Sequence, residues 1–204
     1  MGRRQTFDSD DVLTAVMHLF RRQGYQGTSL KDVEETTGLH PGSLYRAFGN
    51  KDSIFRAALD AYVDRVVVRR VADHLERPDD PLGGISTYFT STFNTGRTPD
   101  PGCLVTNTAV ESYALDELTS RGVRRGLDAI ERGFTGAVAR AQAAGQVPAA
   151  AQADRWGARL LVDYQGVLVL VRAGTPASRL QEITDDILVS LRCDPTSSWK
   201  DTTL

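Results

Sequence analysis

Cysteine is scarce in this 204-residue chain. Cys103 and Cys193 are too few and too far apart for a disulfide framework or a thiolate metal set. That usage fits a reducing compartment, so the cytoplasm is the expected location. Long apolar runs are also missing. Val66-Val67-Val68 and the stretch from Val167 to Val171 are the longest, far short of the ~20 residues a membrane span needs. The opening MGRRQTFDSDD leads into an amphipathic helical pattern, so no secretory signal is expected. The histidines, His18, His40 and His74, are grouped neither with cysteine nor with each other. The sequence has no paired carboxylates, nucleophile elbow or phosphate-binding glycine loop, so no metal, cofactor or enzymatic activity is expected. It also has no repeats, heptads or low-complexity tracts.

Excess basic charge is the remaining absence. The formal net charge is −2 and the pI about 5.9. Residues 1–51 carry seven Lys and Arg against six Asp and Glu, a net of +1, which leaves −3 for the rest. Any nucleic-acid affinity must therefore come from local placement of Arg3, Arg4, Arg46 and Lys51, not from a broad basic field.

What is present is helical spacing of apolar residues, enough to bury a real core at this length. Helix one runs from about Ser9 to Gln23, with Val12, Leu13, Val16, Leu19 and Phe20 in one stripe and Gly24 closing it. Acidic Asp10 and Asp11 at its start and basic Arg21 and Arg22 at its end suit the helix dipole. Helix four follows the cap Asn50 and continues to about His74 on Ile54, Phe55, Ala58, Leu59, Tyr62, Val63 and Val66. Further helices are expected from Leu82 to Thr95, Cys103 to Tyr113, Asp116 to Ala144, Ala150 to Ala173 and Ala177 to Arg192. The fold class is thus all-α, with about nine helices. Gly122, Gly126, Gly133 and Gly136 interrupt the seventh helix, each at a cost of about 1 kcal/mol relative to Ala. Close helix contacts, a kink or room for a ligand would each explain them.

The most informative stretch is Thr28 to Lys51, TSLKDVEETTGLHPGSLYRAFGNK. Thr28 or Ser29 can cap a short helix, and Ser29-x-x-Asp32 forms a weak capping box. That helix stops near Gly38. A second begins at Pro41, a residue suited to the first helical position, and ends at Gly49. His40, preceding proline, is pushed to the extended geometry of a cap. Two short helices joined by a glycine turn make a helix-turn-helix, which lays its second helix in the DNA major groove. At 100° per residue, Leu44, Ala47 and Phe48 should face inward while Gly42 and Arg46 face outward, flanked by Ser43 and Tyr45. An exposed glycine lets the groove approach the backbone, and an exposed arginine can donate two bonds to guanine.

Gly38-Leu39-His40-Pro41-Gly42-Ser43-Leu44-Tyr45-Arg46-Ala47-Phe48-Gly49-Asn50-Lys51, with Phe20, Gly24, Tyr25, Gly27, Thr28, Leu30 and Val33 before it, resembles the DNA-binding signature of TetR-family transcriptional regulators. The likeness spans about residues 9 to 60 and departs at His40, where the family often has a small polar or basic residue. It implies a homodimeric, ligand-responsive repressor of a palindromic operator on double-stranded DNA. It also implies that Ser43, Tyr45 and Lys51 touch the DNA backbone. The candidate DNA-binding set is Arg4, Thr28, Ser29, His40, Pro41, Gly42, Ser43, Tyr45, Arg46 and Lys51. Residues 1–51 would form the DNA-binding domain, 52–193 a ligand-binding and dimerisation domain, and 194–204 a tail.

The resemblance also implies a cavity for an unidentified small-molecule effector enclosed by helices four to eight, and pockets do lie between bundle helices. Phe89, Phe93, Cys103, Asn107, Tyr113, Phe134 and Tyr164 are the candidate lining. Two apolar helices at the C-terminus fit a four-helix interface with a second copy, through Trp156, Leu161, Leu168, Leu180, Ile183, Ile187 and Leu191. The alternative is that both helices complete the monomer core. Val167 to Val171 is apolar all round, so both faces are expected to be covered. Cys103, at a helix start, could be a reactive thiolate, and Gly102-Cys103-Leu104 resembles a TetR subgroup with members that respond to oxidants or electrophiles. The alternative is a small buried hydrophobe. The rival to the whole reading is a helical ligand-binding or interaction protein without useful DNA affinity.

Overall fold

The computed structural model describes residues 9–94, 102–111 and 116–193. Among them every regular element is a helix: α1 Ser9–Gln23, α2 Leu30–Thr37, α3 Pro41–Phe48, α4 Lys51–Tyr62, α5 Pro81–Thr90, α6 Leu104–Glu111, α7 Glu117–Ala143, α8 Ala153–Arg172 and α9 Ala177–Arg192. Among the described residues no helix is long and apolar enough to cross a membrane, and no group of His, Cys, Asp and Glu is arranged to hold a metal ion. Arg4, Tyr113 and the 194–204 tail lie outside the described residues.

Two elements differ from the sequence expectation. α5 stops at Thr90, not Thr95, because Thr92 and Phe93 donate backward to Phe89 and Thr90 and tighten the chain into turns. α4 does run on, to Glu76, but through π-helical turns at Val63–Val68 and Ala72–Glu76 on either side of α-helical Arg69–Val71. The reason lies in the spacing. Beyond Tyr62 the buried positions are Val63, Val67, Val71 and Leu75, at strict four-residue intervals. In a regular α-helix that stripe would drift by about 40° at each step. A π turn, more loosely wound, brings four residues nearer one turn and keeps the stripe on one face.

The chain forms two compact units, neither of which ends at Lys51. The first comprises residues 1–66 and 103–125, the second residues 67–102 and 126–204. The first unit therefore adds α4, α6 and the beginning of α7 to the three N-terminal helices. Val16, Leu19, Phe20, Val33, Leu44, Ile54, Phe55, Ala58 and Leu59 form its core. Phe20 meets Phe55 edge to face at 4.9 Å, and Tyr25 packs on Phe55 at 5.0 Å. Gly122 of α7 lies against Leu59, leaving 3.0 Å for any added Cβ, so close helix approach accounts for this glycine.

In the second unit Tyr88, Phe89, Phe134 and Tyr164 are buried as one aromatic cluster with ring centroids 4.9–6.1 Å apart. Gly133 lies under Val71 and Leu75, again at a distance that leaves no room for a Cβ. Arg70 enters the cluster from α4. It donates to the Tyr164 hydroxyl (3.0 Å), the Tyr88 carbonyl (3.0 Å) and Ser91 Oγ (2.9 Å), with its guanidinium 4.8 Å from the Tyr88 ring centre.

Carboxylates close three helix starts. Asp32 completes the Ser29 capping box, Asp80 accepts from Gly83 N, and Asp116 accepts from Thr119. All three are held below the ordinary carboxylate range, Asp32 by Ser29, Asp80 by Gly83 and Gln146, and Asp116 by Thr119. A depressed folded-state pKa gives stability that is present above the unfolded value and lost as the pH falls through the folded one. The melting temperature is therefore expected to fall below about pH 4, and Asp80→Asn should flatten that acid limb in thermal melts followed by circular dichroism.

Candidate nucleic-acid interface

The α2–α3 turn depends on Gly38, whose φ of 67° is the left-handed geometry that ends a helix and whose N–H donates to the Glu34 carbonyl. His40 then sits extended at the α3 N-cap with no capping bond from its ring, and Pro41 starts the helix. Leu44 is buried and anchors α3. Pro41, Gly42, Tyr45 and Arg46 face solvent, and Ser43 is half-buried. Tyr45 keeps 51% of its surface exposed, a large apolar ring left uncovered beside Arg46.

Two expectations need correction here. Ala47 is exposed, not inward. It lies about 60° from Leu44 on the side away from Phe48, and the small core covers only the Leu44–Phe48 side. Its methyl thus joins the outward face, where alanine suits a thymine methyl. Thr28 is buried, with its hydroxyl donating to the Gly24 carbonyl at 2.7 Å, so its side chain serves the turn and is closed to DNA. Ser29 is the actual cap. Its Oγ accepts from Asp32 N at 3.1 Å while Ser29 N donates to Asp32 Oδ2 at 2.7 Å.

Lys51 opens α4, behind the cap Asn50, which accepts from Ser53 N at 2.8 Å. The Lys51 ammonium rests 4.2 Å above the Tyr25 ring. Tyr25 in turn donates its hydroxyl to the Asp52 carboxylate, and that bond, with burial, pushes its pKa up to about 12. The phenol therefore stays neutral across the working pH range. Sequence reading missed this support for Lys51, because Tyr25 reads as one more aromatic in a turn.

Gly42 tests whether α3 is shaped for an outside partner. A Cβ built there meets nothing within 4 Å, so the fold itself does not require glycine. Gly42→Ala is expected to raise helix stability by up to about 1 kcal/mol and still to weaken DNA binding, because the methyl occupies the groove-facing side. Thermal melts paired with fluorescence anisotropy check both halves. A more stable variant with undiminished binding would remove Gly42 from the interface.

The expected effector set draws on both units. Phe89, Phe134 and Tyr164 share the aromatic cluster, and Phe93 is half-buried. Cys103 and Asn107 belong to the first unit. Both are buried, and Asn107 Nδ2 donates to the Arg21 carbonyl at 3.2 Å, so α6 packs on the N-terminal helices. At 6% exposure, the Cys103 thiol is nearly closed to an electrophile. An open cleft of about 580 Å³ lies elsewhere in the second unit, lined by Asp80, Leu82, Ser86, Gln146, Asp185 and Arg192, none of which the sequence marked.

The dimerisation set divides in the same way. Trp156, Leu168, Leu180 and Leu191 are buried within the chain, so a partner has almost none of their surface left to cover. Leu161, Ile183 and Ile187 are half-buried. Within the single chain Val169, in the stretch Val167 to Val171, is 50% exposed, so the chain itself leaves one face of that stretch open. With Ala158, Val162 (69% exposed) and Gly166 it makes an outward stripe of small and apolar residues along α8.

A glycine-turned helix pair with an anchored base and an uncovered polar-aromatic face defines a helix-turn-helix DNA-binding regulator. The model for bacterial regulatory proteins of the tetR family matches residues 12–58. The repressor ComR of Escherichia coli (strain K12) is 29% identical over 92% of this chain and 90% of its own length. The uncharacterized regulator YezE of Bacillus subtilis (strain 168) is 30% identical over 72% of this chain and 76% of its own. Among solved structures, a cysteine mutant of the TetR-family regulator CifR, complexed with 26-bp double-strand operator DNA, superposes with a TM-score of 0.81. It is 26% identical and matches 92% of this chain and 99% of that one. The chain belongs to the tetR family and is a ligand-responsive DNA-binding transcriptional regulator.

Proposed function

We propose that this regulator is a homodimeric repressor that reads a palindromic operator with α3, one half-site per subunit, and is released by a small molecule acting on the second unit. The observation that carries the reading is the outward face of α3, where Gly42, Arg46 and Ala47 are free of the core while Ser43, Tyr45 and Lys51 flank them. Arg46 reads a guanine edge, and the flanking groups hold phosphates. The functional DNA-binding segment ends near Lys51, and α6 assists it from outside. Two copies joined along the α8 stripe bring two weakly charged units to successive major grooves about 34–36 Å apart or a multiple of that distance.

Release needs an effector whose affinity differs between two arrangements of the chain. Arg70 supports a route for this. It lies on the continuation of α4 and is tied to Tyr164 of the aromatic cluster, so a ligand that competes for the Tyr164 hydroxyl pulls on the helix that leaves the DNA-binding segment. Phe89, Phe134 and Tyr164 remain the aromatic candidates for that contact.

Selection from random DNA at moderate salt, followed by binding titrations, tests the reading. A palindrome should emerge. Arg46→Ala should lose discrimination at one base position per half-site, by about 1–3 kcal/mol. Lys51→Ala should weaken all sequences alike and lower the salt slope by about one. Equal loss of specificity in both variants would overturn the role assignment, and the absence of any selected palindrome would overturn the function.

A further inference from the structure

α6 carries a carboxylate that the DNA-binding signature does not include. Glu111 Oε2 accepts from Tyr25 N at 2.8 Å, and its Oε1 accepts from Gln26 N at 2.7 Å. The two oxygens thus hold consecutive peptide N–H groups of the turn between α1 and α2, from a position more than eighty residues away in sequence. The backbone is shaped to receive them. Gly24 takes φ of 75°, and a Cβ there would stand 2.6 Å from both Glu111 oxygens. Any other residue would be strained by conformation and would also displace the carboxylate. Four residues earlier on α6, Asn107 donates to the Arg21 carbonyl near the end of α1. One face of α6 therefore grips both sides of the same turn, donating to a carbonyl before it and accepting from the N–H groups within it.

The gripped residue matters. Tyr25 carries the ring beneath the Lys51 ammonium, and its hydroxyl is bonded to Asp52 beside it. We propose that Glu111 is a positioning residue for operator binding: by fixing the Tyr25–Gln26 peptide groups, it fixes the ring that holds Lys51 against phosphate. The inference rests on the DNA-binding reading and adds to it a residue outside the helix-turn-helix. Charge-assisted bonds from two peptide groups to one carboxylate are strong and directional, so small displacements of α6 reach the Tyr25 backbone undiluted.

The test uses the full-length protein and the palindrome it selects. Glu111→Ala removes both acceptors, and Glu111→Gln keeps one. Operator affinity is expected to fall about tenfold for Glu111→Ala, the size of one lost charge-assisted contact, and by less for Glu111→Gln. The diagnostic reading is the salt dependence. Glu111→Ala should lower the slope of log affinity on log salt by about one, as Lys51→Ala does, because the same phosphate contact is lost. The double variant should be no worse than Lys51→Ala alone. A loss of stability alone would shrink the folded fraction without changing that slope, and circular dichroism melts measure the fraction directly. Wild-type affinity and slope in Glu111→Ala, or losses that simply add in the double variant, would overturn the inference while leaving the DNA-binding reading intact. If the unaltered protein selects no palindrome, both fall.

Discussion

Val162→Glu combined with Val169→Glu is expected to give a folded monomer that binds its operator about 10²- to 10⁴-fold more weakly. Both side chains are at least half exposed in the single chain, so the charges enter solvent without disturbing the core, and glutamate is the better helix former. Folded stability should therefore change by no more than about 0.5 kcal/mol apart from the loss of the partner. The large effect falls on DNA. Residues 1–51 carry a net charge of only +1, so one subunit has little electrostatic hold on a half-site. Linking two such units makes the second contact intramolecular, and breaking the link forfeits that gain. Sedimentation velocity reads the mass and anisotropy the affinity. A double variant that remains dimeric would put the interface on another face.

Phe134→Ala is expected to destabilise the protein by about 3–5 kcal/mol. At about 2–4 °C per kcal/mol for a chain of this size, the melting temperature should drop by roughly 6–20 °C. Phe134 is completely buried and meets the rings of Tyr88, Phe89 and Tyr164, so its removal leaves a cavity bounded by rigid aromatics that cannot collapse far. Phe93→Ala, at a half-buried position, should cost about 1 kcal/mol or less. The contrast separates two residues that sequence alone placed in one candidate pocket. Near-equal losses would show that the cluster is looser than its geometry indicates. Because Arg70 bonds to Tyr164, Phe134→Ala should also blunt effector release more than Phe93→Ala does.

The legible parts of the chain were those governed by local rules. The α1 and α9 limits follow from apolar spacing and capping residues, and Gly38, His40 and Pro41 occupy the turn, cap and first-turn geometries their chemistry favours. Local rules failed where a residue had two acceptable environments. Ala47 fits a core or a surface equally well, and only the extent of the small core exposes it. Thr28 and Ser29 are both good caps, and the choice went to Ser29 because the Gly24 carbonyl captured Thr28. The apolar residues of α8 and α9 all read as interface or core, and the packing of each face decided between the two.

The sequence alone determined that this chain is helical, that Thr28 to Lys51 is a helix-turn-helix, and that Gly42 and Arg46 face away from its core. Those features follow from dihedral preference and helical periodicity, which act over a few residues. Tertiary structure alone decided which helices serve the DNA-binding unit. It recruited α6 to the N-terminal helices, set Asn107 against the end of α1, and placed Glu111 on the turn that carries Tyr25. These are contacts between residues more than eighty positions apart, and no periodicity or propensity in either segment encodes its partner.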